Sequence, residues 1–177
     1  MNSSESIKKV YIRHAEKAYN NGKSRQFKHD PPLTENGRKL CKEKVIDLIQ
    51  KSGLPSKIIC SPYRRCRETA EQLYSELLSL DQTFGEVPII VDPNLSEYLG
   101  NRIGEELDVL PETKKFNVPH PENWSNFLKR IQDHSTSLEN VKETIWIVTH
   151  GIVLRTVSQF NNLPGKKNYA YLESVII

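Results

Sequence analysis

Cysteine is scarce in this chain and carries no pattern. Cys41, Cys60 and Cys66 form no CxxC pair and none of the spacings that hold zinc. They read as small buried thiols of a reducing compartment. Long apolar runs are missing as well. Nothing approaches the roughly 20 residues that a membrane span needs, and the polar stretch from Met1 to Ser6 offers no signal-peptide core. A cytoplasmic protein with no membrane attachment is expected. No lysine or arginine run marks a polybasic arm, and the net charge is a mild +3, so no nucleic-acid partner is expected. There is no Gly-rich nucleotide loop and no metal-ligand cluster, so neither a cofactor nor a metal is expected. Internal repeats and low-complexity linkers are absent too.

What remains is an ordinary globular composition, 37% hydrophobic and 27% charged over 177 residues. One domain, 1–177, is expected, with enough chain to bury a core. Short β-branched runs predict strands at Lys8–Ile12, Lys57–Cys60, Val87–Val91, Thr144–Thr149 and Ser174–Ile177. They lack strict alternation, as strands buried on both faces do. Helical stripes lie between them. Thr34 is a plausible N-cap for a helix whose apolar residues fall at Cys41, Val45, Leu48 and Ile49, with Gly53 as its stop. After Pro62 a second stripe runs through Cys66, Ala70, Leu73 and Leu77. Trp124, Phe127, Leu128, Ile131 and Leu138 form a third, and Ile152, Val153, Val157 and Phe160 a fourth that ends near Pro164-Gly165. The alternation predicts an α/β fold with a mostly parallel central sheet between helical layers. Tyr19–Pro32 reads as a polar loop. Gly100–Pro121 reads as an irregular, proline-bearing excursion.

Two of the strand runs end in histidine. Val10-Tyr11-Ile12 leads into Arg13-His14, and Ile145-Trp146-Ile147-Val148-Thr149 leads into His150-Gly151. In an open α/β sheet, ligands bind at the C-terminal strand ends. Two imidazoles and a guanidinium are therefore expected to converge on one anion. Gly151 is expected to let the backbone approach closely and to open a helix whose N-terminus favours that anion.

Four strings in order extend this pattern: Arg13-His14-Ala15-Glu16 with Asn20 after it, Leu33-Thr34-Glu35-Asn36-Gly37, Ser61-Pro62-Tyr63-Arg64-Arg65-Cys66-Arg67-Glu68-Thr69-Ala70, and Val148-Thr149-His150-Gly151 with Arg155 after it. The set resembles the histidine phosphatase superfamily, the phosphoglycerate mutase-like family, over essentially the whole chain. Ala15 departs from the family's usual glycine, which is tolerable unless the backbone there needs a positive φ.

The resemblance implies a three-layer α/β/α fold, with the excursion at about 98–121 as a small lid over the site. It implies a metal-independent phosphomonoester hydrolase without a cofactor. His14 would be the nucleophile, its second ring nitrogen held as N–H by an acceptor elsewhere in the fold. Arg13 and Arg65 would grip phosphoryl oxygens with their planar forks, Arg64 facing solvent or the pocket rim. His150, as an imidazolium, would donate to the phosphoryl group. Glu97 would be the general acid and base, with Glu105, Glu106 and Asp108 as alternatives in the next loop. Asn20 would touch phosphate, whereas Glu16 and Thr34 would support. His29, His120 and His134 read as structural or exposed. Lys114-Lys115 and Lys166-Lys167 read as solvated charges, either pair being able to attract a second anionic group.

The substrate would be a phosphorylated small molecule or phosphoprotein. Its identity depends on walls expected at Asn21–Lys28 and Asn101–Pro121, and the oligomeric state has no signature. Two other functions compete. A phosphoglycerate-type phosphomutase must shield its phosphoenzyme from water, and the short stretch between Glu97 and His150 leaves little room for a large lid. A non-catalytic module binding phosphate or phosphoproteins has no need of a full catalytic set.

Overall fold

The computed structural model describes residues 7–18, 30–80, 85–100, 116–117 and 122–177. The loop at 19–29, with Asn20 and His29, lies outside the described residues. So does most of the expected lid, with Glu105, Glu106, Asp108, Lys114, Lys115 and His120.

Five strands form one sheet: β1 (Lys9–Arg13), β2 (Lys57–Cys60), β3 (Ile89–Val91), β4 (Ile145–Thr149) and β5 (Ser174–Ile176). Their spatial order is β3-β2-β4-β1-β5. The pairs β1–β4, β2–β4 and β2–β3 are parallel, and β5 closes the far edge antiparallel to β1. The helices are α1 (Glu35–Ser52), α2 (Arg64–Leu80), α3 (Trp124–Ser137) and α4 (Gly151–Phe160), with a 3₁₀ turn at Pro93–Leu95. This is the expected α/β fold with a mostly parallel sheet.

Side chains alternate across the sheet and separate two cores. Val10, Ile12, Ile58, Trp146 and Val148 pack with Cys41, Val45 and Leu48 of α1 and Leu73 and Leu77 of α2. Tyr11, Ile59, Ile145 and Ile147 pack with Phe127 and Ile131 of α3 and Val153, Leu154 and Val157 of α4. Every residue of β4 is buried, which is why its sequence shows no polar alternation. Cys41, Cys60 and Cys66 are free and buried, and burial pushes each thiol up: Cys41 and Cys60 to about 12, Cys66 well above its ordinary value. No helix among the described residues is long and apolar enough to cross a membrane.

Several expectations shift. The third strand starts at Ile89, not Val87, because Pro88 has no N–H to give a ladder. It is an edge strand, so Ile90 is 45% exposed instead of covered on both faces. The fourth helix stops at Phe160, before Pro164-Gly165, where Asn162 turns the chain at φ 52°. Phe160 and Trp124, placed on core stripes by their spacing, are exposed at helix ends. Trp124 instead stacks on Tyr98 and Phe127, with ring centroids 5.0 and 4.9 Å away.

Candidate active site

Register brings the two histidines together. Arg13 at the end of β1 lies opposite Thr149 at the end of β4, and Cys60 of β2 lies opposite Val148. The His14 N–H donates to the Thr149 carbonyl, and the Ser61 N–H to that of Val148, each at 2.9 Å. Three strands thus end side by side, with the rings of His14 and His150 5.5 Å apart and edge to face.

Arg65, in the first turn of α2, sits between them and is 1% exposed. Its Nε donates to His14 Nε2 at 3.3 Å, and one Nη2 donates both to His150 Nδ1 at 3.3 Å and to Glu97 Oε2 at 2.5 Å. The other terminal nitrogen reaches Asp30 Oδ1 at 3.4 Å. A guanidinium can only donate, so both contacted ring nitrogens are acceptors. His14 Nδ1 lies 2.8 Å from the Ala15 carbonyl, which can only accept, so Nδ1 carries the proton and Nε2 the lone pair. His150 is the opposite tautomer: Nδ1 has the lone pair, and Nε2–H donates to Ser61 Oγ at 2.9 Å.

Burial, with the Arg65 charge beside it, holds each imidazole well below its ordinary value. Both rings are neutral at neutral pH. The imidazolium expected of His150 from the sequence is therefore disfavoured here by burial and the Arg65 charge; among the described residues the nearest carboxylate oxygen, Glu97 Oε2, lies 3.9 Å from Nδ1.

Arg13 lies across the start of α4. Its Nη1 donates to the Tyr169 carbonyl, its guanidinium stacks 4.5 Å above the Tyr171 ring, and its Nε is buried without a hydrogen-bond partner. A Cβ on Gly151 would meet the Arg13 side chain at 3.7 Å, an ordinary contact. Glycine is thus not forced there by close approach, contrary to expectation, but its bare backbone borders the cavity. That cavity, about 240 Å³, is lined by Arg13, Glu97, Gly151, Ile152, Arg155, Lys167, Asn168 and Tyr169. Arg65 and the two imidazoles are not among its lining residues; Glu97, its side chain 34% exposed, lines it and accepts from Arg65.

The surrounding support was only partly visible from the sequence. Thr34 caps α1 by accepting from the Gly37 N–H at 2.9 Å, while its hydroxyl donates to Glu16 Oε1 at 2.6 Å. Arg64 pairs with Glu68 at the α2 surface, as expected of a residue facing outward. His134 is a structural histidine on Asp92, 2.7 Å away. Ala15 is fully buried and does not have positive φ, so alanine fits in place of glycine.

Asp30, Ser61, Thr69, Tyr63 and Tyr171 were missed. Asp30 is buried, and both its oxygens accept from the Arg64 N–H at 2.8 Å, at the start of α2. Thr69 Oγ1 accepts from the Ala15 N–H at 3.0 Å and donates to the Arg65 carbonyl at 2.7 Å, tying strand end to helix. Tyr63 and Tyr171 give aromatic walls to His150 and His14. Ser61 offered one signal, its place at the head of the arginine string.

Three solved structures share this architecture. YhfR of Bacillus stearothermophilus is 26% identical, with TM-score 0.66, covering 97% of this chain and 91% of that one. A mycobacterial glucosyl-3-phosphoglycerate phosphatase, also known in complex with VO3, is 20% identical in its native structure, with TM-score 0.65 over 96% of this chain and 89% of that one. TTHB049 of Thermus thermophilus is 24% identical, with TM-score 0.61 over 97% of this chain and 93% of that one. No curated protein matches. The model of the histidine phosphatase superfamily (branch 1) matches residues 10–167, which include all four landmark strings, and the chain belongs to that superfamily.

Proposed function

We propose that the protein hydrolyses phosphomonoesters through a phosphohistidine on His14, without a metal. The observation that carries this reading is the tautomer of His14. The Ala15 carbonyl holds the Nδ1 proton, which leaves a neutral ring with its Nε2 lone pair facing Arg65 Nε, beside the His150 ring. The 3.3 Å contact from Arg65 is long enough to be exchanged for a phosphoryl oxygen.

In the first step Nε2 attacks phosphorus and the bond to the ester oxygen breaks; the leaving oxygen takes a proton that a phosphomonoester monoanion brings in and that Glu97, bonded to Arg65 through Oε2, relays on its other oxygen. In the second step the Glu97 carboxylate takes a proton from water, whose oxygen attacks phosphorus as the P–N bond breaks. Arg13 and Arg65 hold the phosphoryl oxygens and spread their charge. His150 is neutral beforehand. A phosphoryl dianion beside Nδ1 favours a proton taken up there from solvent, with Arg65 Nη2 turning from Nδ1 to the phosphoryl group, and His150 then donates to it. Its Nε2 anchor on Ser61 fixes the ring plane in both states. One of these relatives, a glucosyl-3-phosphoglycerate phosphatase, supports this reading at the level of phosphatase chemistry. It leaves the substrate of this chain to its own pocket.

The test is p-nitrophenyl phosphate turnover in EDTA by wild type and His14→Ala. Chelator-resistant turnover in the wild type and loss of at least about 1,000-fold in the variant are expected, since a removed nucleophile leaves only binding and charge stabilisation. Equal rates in the two proteins would sink the phosphohistidine. Faster isomerisation of 3-phosphoglycerate than hydrolysis, with a trace of bisphosphoglycerate present, would replace the hydrolase by a mutase.

A further inference from the structure

We infer that the outer cavity holds a second anion site, formed by Arg155 and Lys167, for a distal carboxylate or second phosphate on the phosphomonoester. The inference rests on the phosphatase reading, because it takes the Arg13 end of the cavity as the place of the scissile phosphoryl group.

Arg155 lies four positions after Gly151 on α4, so both face the same side of the helix. That side is a wall of the cavity. Arg155 is half-buried, and among the described residues it has no hydrogen bond or ion pair. None of its nitrogens is among the buried atoms without a partner, so water reaches the guanidinium and an anion entering the cavity can take that water's place at its donors. The neighbouring lysines differ from each other. Lys166 is paired with Glu173 at the surface. Lys167 has no partner among the described residues and lines the same cavity as Arg155.

Charge in the cavity is one-sided. Arg13, Arg155 and Lys167 face Glu97, whose carboxylate is already engaged by Arg65. Arg13 precedes His14 in the chain, and its one bond, from Nη1 to the Tyr169 carbonyl, leaves its other donors for the scissile phosphoryl group. Arg155 and Lys167 are then surplus to binding one phosphoryl group. The start of α4, where the first N–H groups have no intrahelical acceptor, adds to the same positive field. A monoester with a neutral leaving group leaves these cations without counter-charge. One bearing a second anion a few bonds from the ester satisfies both ends of the cavity at once.

The test titrates three compounds into the His14→Ala protein by calorimetry, so that no turnover intervenes: glycerol 3-phosphate, 3-phosphoglycerate and propane-1,3-diol bisphosphate. The first two differ in a hydroxymethyl against a carboxylate. The expected result is at least tenfold tighter binding of one or both compounds bearing the second anion than of glycerol 3-phosphate. Which of the two gains identifies the second group as carboxylate, phosphate or either. Adding Arg155→Gln and Lys167→Gln should bring all three within threefold. Lys167→Gln alone, at an exposed position, should halve or further reduce the preference and serves where the combined variant does not fold. Equal affinity for the three, no binding of any, or a preference that survives the substitutions overturns the second site. Wild-type turnover distinguishes the two readings. Hydrolysis of monoesters without the preference leaves the phosphatase standing and removes the site. The preference without hydrolysis of any monoester leaves an anion site and removes the phosphatase.

Discussion

Arg65 has a single side chain but four tasks: it donates to two imidazoles, to Glu97 and to Asp30. Asp30 gives that guanidinium its fixed position, because the same carboxylate is clamped to the Arg64 N–H at the start of α2. Burial raises the Asp30 pKa, opposed by the Arg64 N–H and the Arg65 charge. Asp30→Asn keeps the shape and removes the charge, so Arg65 is less restrained and less compensated. Turnover of p-nitrophenyl phosphate should fall by about 10- to 100-fold, the cost of a slightly misplaced catalytic group. The acidic limb of kcat/KM should move to lower pH, since a less neutralised Arg65 depresses the imidazoles further. An unchanged limb with a simple loss of folded protein would reduce Asp30 to a helix cap. This residue was not legible in the sequence. It stands in a polar, proline-flanked stretch, and its partners are 34 and 35 positions away. His14 and His150 were legible because each ends an apolar strand. Their acceptors, the Ala15 carbonyl and Ser61 Oγ, depend on side-chain direction and on contacts between strands.

At the scale of elements, the stripes of α1 and α2 were legible because one face of each helix meets the sheet and its spacing repeats. The ends were less so, since single contacts decide them. Gly37 shows what such contacts require. It lies inside the first turn of α1, where alanine would raise helix propensity by about 1 kcal/mol. A Cβ there would stand 2.4 Å from the Glu16 carbonyl oxygen and 3.0 Å from the Glu16 nitrogen. The Glu16 backbone cannot retreat freely, because its carbonyl accepts from the Thr34 N–H at 2.9 Å and its carboxylate from Thr34 and Asn36. Overpacking against backbone outweighs the propensity gain, so Gly37→Ala should destabilise by about 1–3 kcal/mol. Urea denaturation of both proteins decides it: an equal or higher midpoint in the variant would show that β1 and α1 are not locked at this point. Because Glu16 follows His14 by two residues, the same lock sets how the nucleophile leaves the strand.

For the whole molecule, the site's position follows from topology. Four parallel strands present their C-terminal ends to one edge, and two helices start there. The fold buries two imidazoles in consequence, and this couples stability to pH. Both have folded-state pKa values below the ordinary 6.5, through burial first and Arg65 second. Below that value the unfolded chain binds protons that the folded chain refuses, so stability is full above about pH 6.5 and falls as the solution is acidified. Each ring contributes a slope of at most about 1.4 kcal/mol per pH unit, and the two together at most about 2.7. The carboxylates Asp47, Asp92 and Glu173 are held below their ordinary values. Their stabilisation is lost only at lower pH, as the solution passes down through the carboxylate range, so they contribute little to the slope near pH 6; Asp30, raised by burial, takes up its proton in the folded chain first and opposes the imidazole slope toward the acid end. Denaturant titrations from pH 8 to about pH 5 in phosphate-free buffer should therefore show a falling unfolding free energy, steepening below pH 6.5. His150→Gln removes one of the two imidazoles with a lowered pKa and should cut that slope by up to half, whatever its effect on stability at pH 8. Identical slopes in the two proteins would mean that His150 is protonated in the folded state as readily as in the unfolded chain. The neutral His150 ring, and with it the tautomer pair around Arg65, would then be wrong.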